Sequence, residues 1–171
     1  MPRIRDFRHS TFGLKRVESC GRYVGSKLYW KLYAVENAMR VVIHSVLTAQ
    51  VGANWWSLTV DPAIASKASR FRTHYAARPQ NASPGLTDIH LVFLSDLTEI
   101  LRANSHLFLP IIPDTNTWIA TLEAIRVPRN LVGHMNFPNA FDKAAIDSAY
   151  AGLPLLIKRV TDKGLAVVTP K

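Results

Sequence analysis

The longest regular signal in the chain is an apolar stripe between residues 27 and 50. Leu28, Leu32, Val35, Met39, Val42 and Val46 recur at spacings of 4, 3, 4, 3 and 4, the period of one face of an α-helix. Gly52 follows as a stop. Off the stripe, Glu36, Arg40 and His44 stand four apart on a second line down the same helix, where Glu36 can pair with Arg40 one turn away. Trp55 and Trp56 fall where they cap the end of a bundle. Asp61-Pro62 reads as a helix start, a capping carboxylate followed by a proline whose missing N–H is not needed in the first turn. Its stripe is Ile64, Ala68, Phe71 and Tyr75. "RPQNASPGL" (78–86) has the composition of a loop.

Residues 88–108 are apolar almost all round, through Ile89, Val92, Phe93, Leu94, Leu97, Ile100 and Leu101. That pattern predicts a single helix, the most buried of the set. "LPIIPD" breaks the chain, and 115–126 form a helix with Trp118, Leu122 and Ile125 inward. Pro128 predicts a kink or a fresh start at 127–128, because proline removes a donor and keeps the preceding residue out of the α region. Helix resumes over 129–136. A last helix covers 142–160, with a kink at Pro154. Residues 1–26 show no clear period and read as a basic N-terminal arm. Residues 161–171 read as a β-prone tail. The whole predicts an all-α protein, an antiparallel bundle of four to six helices over residues 27–160.

Composition narrows the class. The 171 residues are 48% hydrophobic and 19% charged, as in a soluble globular domain with a real core. No apolar run has the length of a membrane span, and "MPRIRDFRHS" lacks the apolar centre of a secretory signal. Cys20 is the single cysteine, so neither an internal disulfide nor a cysteine-based zinc site is available. The expectation is a reducing, cytoplasmic setting. His9, His74, His90 and His106 show no metal-ligand spacing, and no glycine-rich phosphate loop or Ser/His/Asp triad is legible. Neither a metal nor a cofactor is expected.

Charge adds a partner. The net charge is +9. Residues 1–33 hold eight Lys/Arg against Asp6 and Glu18, a surplus of six. A second cluster comprises Lys67, Arg70, Arg72 and Arg78. Such a field attracts polyanions, chiefly nucleic acid. It also suits a merely soluble basic surface.

The candidate chemistry lies in "VPRNLVGHMN" (127–136). On a helix Asn130 and His134, four apart, share a face, whereas Arg129 sits about 140° from His134 and must curl its stem to converge. Gly133 is costly in a helix and leaves clearance beside His134. Histidine moves protons near neutrality, arginine grips phosphate with two prongs, and asparagine orients either. These groups suit metal-free phosphodiester cleavage in RNA, where the 2′-hydroxyl is the nucleophile. The same three types also meet by chance on surface helices.

R-N-x-x-x-H, here Arg129-Asn130-Leu131-Val132-Gly133-His134, late in an all-helical bundle resembles the signature of the HEPN superfamily, the higher-eukaryote and prokaryote nucleotide-binding domains. "YAVENAMRVVIHSVL", "GANWW" and "HLVFLSDLTEIL" extend the resemblance over roughly residues 27–160, to a bacterial toxin and phage-defence branch. The resemblance implies a metal-independent endoribonuclease with Arg129, Asn130 and His134 as site residues. It implies a homodimer whose motif helices face one another across a shared cleft, and an antitoxin or other defence-system protein as partner.

Glu36, Arg40 and His44 either line that cleft or form a surface salt bridge and a structural histidine, the simpler reading. Lys67, Arg70 and Arg72 are candidate RNA contacts. The alternative function is a non-catalytic HEPN-type module that binds nucleic acid or a partner protein. The plainest alternative is a basic monomeric scaffold.

Overall fold

The computed structural model describes residues 14–165. Among them every regular element is helical and there is no strand. The part of the arm that is described is not irregular. Helix α1 (Leu14–Val24) runs through a π-helical stretch (Gly25–Tyr29) into α2 (Trp30–Val51). Gly21 and Gly25 lower the local propensity, which hides this helix from pattern reading. Burial of Cys20 and Leu28, with the Glu18–Arg22 pair one turn apart, holds it. Residues 1–13 of the arm and 166–171 of the tail lie outside the described residues.

The stripe on α2 is buried throughout, and Gly52, at φ 105°, ends the helix. Then come α3 (Trp55–Thr59) and α4 (Pro62–Ala76). The Asp61 side chain caps α4, accepting from the Ala63 N–H at 2.7 Å.

Residues 88–108 do not form one helix. A 3-10 turn (Asp88–Leu91) leads through extended Val92 and Phe93 into α5 (Leu94–Ala103) and the short α6 (Ser105–Phe108). Two polar side chains cause the breaks. The Asp96 carboxylate accepts from the Phe93 N–H at 2.9 Å and so fixes the start of α5. Asn104 donates back to the Ile100 carbonyl at 2.9 Å and across to that of Thr59 at 3.2 Å. Side chains of this type compete with the helix ladder.

Helix α7 (Thr115–Gly133) passes uninterrupted through buried Pro128, so no fresh start occurs at 127–128. The carbonyl four residues back belongs to exposed Ala124, where water can replace the lost donor. Helix α8 (Ala140–Asp162) likewise runs through Pro154. Its first turn is fixed by a capping box: Asn139 accepts from Phe141 and Asp142, and Asp142 accepts from the Asn139 N–H.

The helices α2, α8, α7 and α5 pack in that order and close back on α2. Val35, Val42, Leu97, Leu122, Ile146 and Leu156 fill the space between them, each at most 1% exposed. Ion pairs from Lys31 to Asp147 and from Arg159 to Asp114 tie α8 to α2 and to the start of α7. No helix of the described residues is long and apolar enough to cross a membrane.

Candidate functional site

Helix α7 ends in a complete Schellman motif. The Asn136 N–H donates to the Leu131 carbonyl at 2.8 Å and the Met135 N–H to that of Val132 at 3.1 Å. The motif requires a left-handed residue just past the cap, and Met135 takes it at φ 59°. Glycine is usual there, since a side chain is strained in that conformation. Helix therefore stops at Gly133, short of the expected 136. His134 is the cap residue, its N–H still bonded to the Asn130 carbonyl at 2.9 Å.

The motif side chains divide at this end. Asn130 and His134 are exposed to solvent. Arg129 turns the other way, into a cleft of about 1210 Å³ between α1, the π stretch, α2, the 83–90 loop and the end of α7. There it meets Glu36 of α2, with Nε 3.0 Å from Oε2 and Nη2 3.4 Å from Oε1. The third nitrogen, Nη1, lies 3.8 Å from where a Cβ on Gly133 would stand. That is ordinary contact distance, so nothing within one chain requires glycine at 133. The Arg129 guanidinium also stands 5.8 Å over the Phe93 ring, within cation–π range.

Glu36 is only 9% exposed. Its second partner is Arg40, with Nη2 2.6 Å from Oε1. Arg40 is in turn fixed by the carbonyls of Ile89 (3.2 Å) and Val92 (2.9 Å) and by Asn37 Oδ1 (3.1 Å). These bonds pin the 89–92 segment onto α2. Arg40–Glu36–Arg129 is thus a chain of two cations around one anion, half-buried, with Arg129 at its open end. A surface salt bridge on one helix does not describe it.

His90, unassigned by the sequence, also lines the cleft. Its Nδ1 is 2.9 Å from Thr87 Oγ1, and its ring lies against Gly85. A Cβ at 85 would come within 2.7–2.8 Å of the imidazole, so this close approach needs glycine. Burial holds the His90 pKa below the usual imidazole value. A hydrogen bond to Thr87 offsets part of that effect, and the nearby Arg40 charge adds to it. His44 is lowered too, by burial first and then by His90. Its Nδ1 accepts from the Trp55 indole at 3.3 Å, with the two rings edge to face. His44 does not line the cleft.

Two of the four cations of the second basic cluster have carboxylate partners. Lys67 bonds Asp96 at 2.7 Å and covers the Phe93 ring, while Arg72 bonds Asp88 at 2.5 Å. Arg78 donates to the His74 carbonyl at 3.0 Å. Arg70 is exposed. With Lys67 and Arg72 so engaged and Arg78 beyond the end of α4, the four cations do not form one open stripe. Among the described residues no group of three or more His, Cys, Asp or Glu is placed to hold a metal ion.

The structure also brings to the cleft Tyr29, Tyr33, Met135 and Asn136. Tyr29 and Tyr33 stand one turn apart, off the buried stripe of α2. That aromatic pair on an otherwise polar face was the available signal for them. No protein-family model, no curated protein and no solved structure matches the chain.

Proposed function

We propose that the chain is a metal-independent endoribonuclease of the HEPN type, acting as a homodimer in which the ends of two α7 helices share one cleft. The observation that carries this reading is the held arginine of R-N-x-x-x-H. Arg129, which lines the cleft, is gripped through Nε and Nη2 by buried Glu36. His134 stands exposed at the helix end, five residues on. A guanidinium fixed before substrate arrives needs little reorganisation to stabilise charge as it develops on phosphorus.

Arg129 takes the non-bridging phosphate oxygens. The imidazole of His134 moves the proton, and Asn130 orients the ribose or the ring. A base removes the 2′-hydroxyl proton, the O2′–P bond forms, the P–O5′ bond breaks, and O5′ takes up a proton. The products are a 2′,3′-cyclic phosphate and a 5′-hydroxyl. One imidazole cannot be base and acid at the same instant, and a two-fold dimer supplies a second copy. Such an activity inside its own cell needs restraint, and an antitoxin or another defence-system protein is the partner this reading expects.

The test is cleavage of RNA with EDTA present by wild type, Arg129→Ala and His134→Ala. Loss of cleavage in both variants, with the fold retained, supports the assignment. Arg129's engagement with Glu36 favours a second reading, a non-catalytic module in which the arginine organises a binding surface. Salt-sensitive RNA binding with no turnover by wild type selects it.

A further inference from the structure

The mouth of the cleft carries large side chains that the fold does not use. Tyr29 is 56% exposed, Tyr33 63% and Met135 84%, and all three line the cleft. Neighbouring Trp30 shows what a structural aromatic does on this helix. Its ring packs edge-on against Tyr150 at 4.7 Å and its N–H bonds the Ser26 carbonyl. Neither tyrosine has a ring contact with another described residue. The π-helical stretch ends at Tyr29. A single extra residue in a helix turn rotates the side chains beyond it, a device frequent at functional sites. On the far wall Met135 is held out by a left-handed backbone at φ 59°, again without a packing reason.

Arg129 lines the same cleft. Asn136 adds an amide whose Nδ2 is tied to the His134 carbonyl at 3.1 Å, which leaves its Oδ1 for a ligand's amino group. His90 also lines the cleft. Flat rings, a guanidinium and amide acceptors around a recess are the means by which proteins hold unstacked bases of single-stranded RNA. The fixed charges in the recess are two arginines against one glutamate, a net cation, and the whole chain carries +9. An anionic strand complements both.

We propose that the cleft is a base pocket for single-stranded RNA, with Tyr29 and Tyr33 as the stacking platform and Asn136 as a reader of the base edge. The choice of RNA as occupant rests on the nuclease reading. The pocket extends that reading to a substrate class: an unpaired base splayed from its neighbours beside the phosphate that Arg129 holds. Duplex RNA, with its bases stacked inside, does not fit.

The test uses the full chain carrying His134→Ala, and fluorescence anisotropy with three probes. These are a labelled single-stranded RNA, the same strand with abasic sites, and a blunt duplex of that sequence. Single-stranded RNA should bind best. Tyr29→Ala and Tyr33→Ala should each weaken it about tenfold, and Tyr→Phe at either position should restore it. The abasic strand should bind weakly and be indifferent to both alanine substitutions. Unchanged binding by folded alanine variants overturns the proposal, as does failure to bind any probe.

Loss of a dimer by sedimentation on Tyr33→Ala, with binding retained, also overturns it, since the rings would then belong to an interface with a second copy. Metal-free cleavage by wild type is measured in parallel. Tyrosine-dependent binding without cleavage refutes the nuclease reading alone, and cleavage with tyrosine-independent binding refutes the pocket alone.

Discussion

Glu36→Gln is the most informative single change. The substitution keeps the shape of the side chain and one acceptor oxygen but removes the charge between Arg40 and Arg129. Glu36 is 9% exposed, and the side chains of its partners are 12% and 30% exposed. Breaking a fully buried pair by removing one member costs about 3–5 kcal/mol, whereas an exposed pair contributes about 0–1 kcal/mol. This site lies between. Arg40 keeps the carbonyls of Ile89 and Val92, and Arg129 can swing partly into water, so the expected loss is about 2–3 kcal/mol.

For a chain of this size that is a fall in Tm of roughly 5–10 °C. Urea denaturation monitored by circular dichroism measures it, with the m-value checked for constancy. A double-mutant cycle with Arg129→Gln isolates the cross-helix term, expected at about 1–2 kcal/mol. Arg129→Gln alone should cost less than Glu36→Gln, because Glu36 then retains Arg40. A loss below about 0.5 kcal/mol, or no coupling in the cycle, refutes the argument that α2 and α7 are joined through a buried anion.

Met135→Gly should raise stability by about 0.5–1 kcal/mol, since glycine suits the left-handed position that ends α7. A lower urea midpoint for that variant contradicts the Schellman ending. Gly85→Ala should cost about 1–3 kcal/mol by driving a methyl group into the His90 ring; a variant as stable as its parent means that the 83–90 loop does not lie on His90. The pH dependence comes from His44 and His90, both lowered from the ordinary imidazole value of 6.5. Between the folded and unfolded pKa values the unfolded chain binds more protons, so stability is full above about 6.5 and falls as the pH drops below it. Denaturation midpoints at several pH values should show that slope, and His44→Gln with His90→Gln should flatten it; an unchanged slope assigns the acid sensitivity to other groups.

What the sequence disclosed is what local chemistry dictates. The 4-3-4-3-4 stripe places α2 to within a few residues, and Asp61-Pro62 places the start of α4. Hydrophobicity alone misses the breaks at Val92–Phe93 and Asn104, because they come from polar side chains that outcompete the helix ladder. It also does not reveal that helix continues past Pro128, which lies buried inside α7.

The site was legible in the same partial way. Arg129, Asn130 and His134 are legible as one motif, and Glu36–Arg40 as a pair within one helix. That Glu36 also holds Arg129, 93 residues away, depends on how α7 lies against α2, and no local pattern carries that. The cluster Lys67, Arg70, Arg72 and Arg78 is legible as charge. Its partners Asp96 and Asp88 come from segments that only the fold brings to α4. His90 enters the cleft because Gly85 lets its ring approach, a relation between two loop residues without periodicity.

Whether Arg129 and His134 cleave RNA through its own 2′-hydroxyl is decided by the chemistry of the product ends, after wild type and His134→Ala have each acted on tRNA and mRNA in EDTA. Wild type should leave 2′,3′-cyclic phosphate and 5′-hydroxyl ends, and His134→Ala none above background. Equal cleavage by both proteins, or products ending in 3′-hydroxyl and 5′-phosphate, contradicts that chemistry.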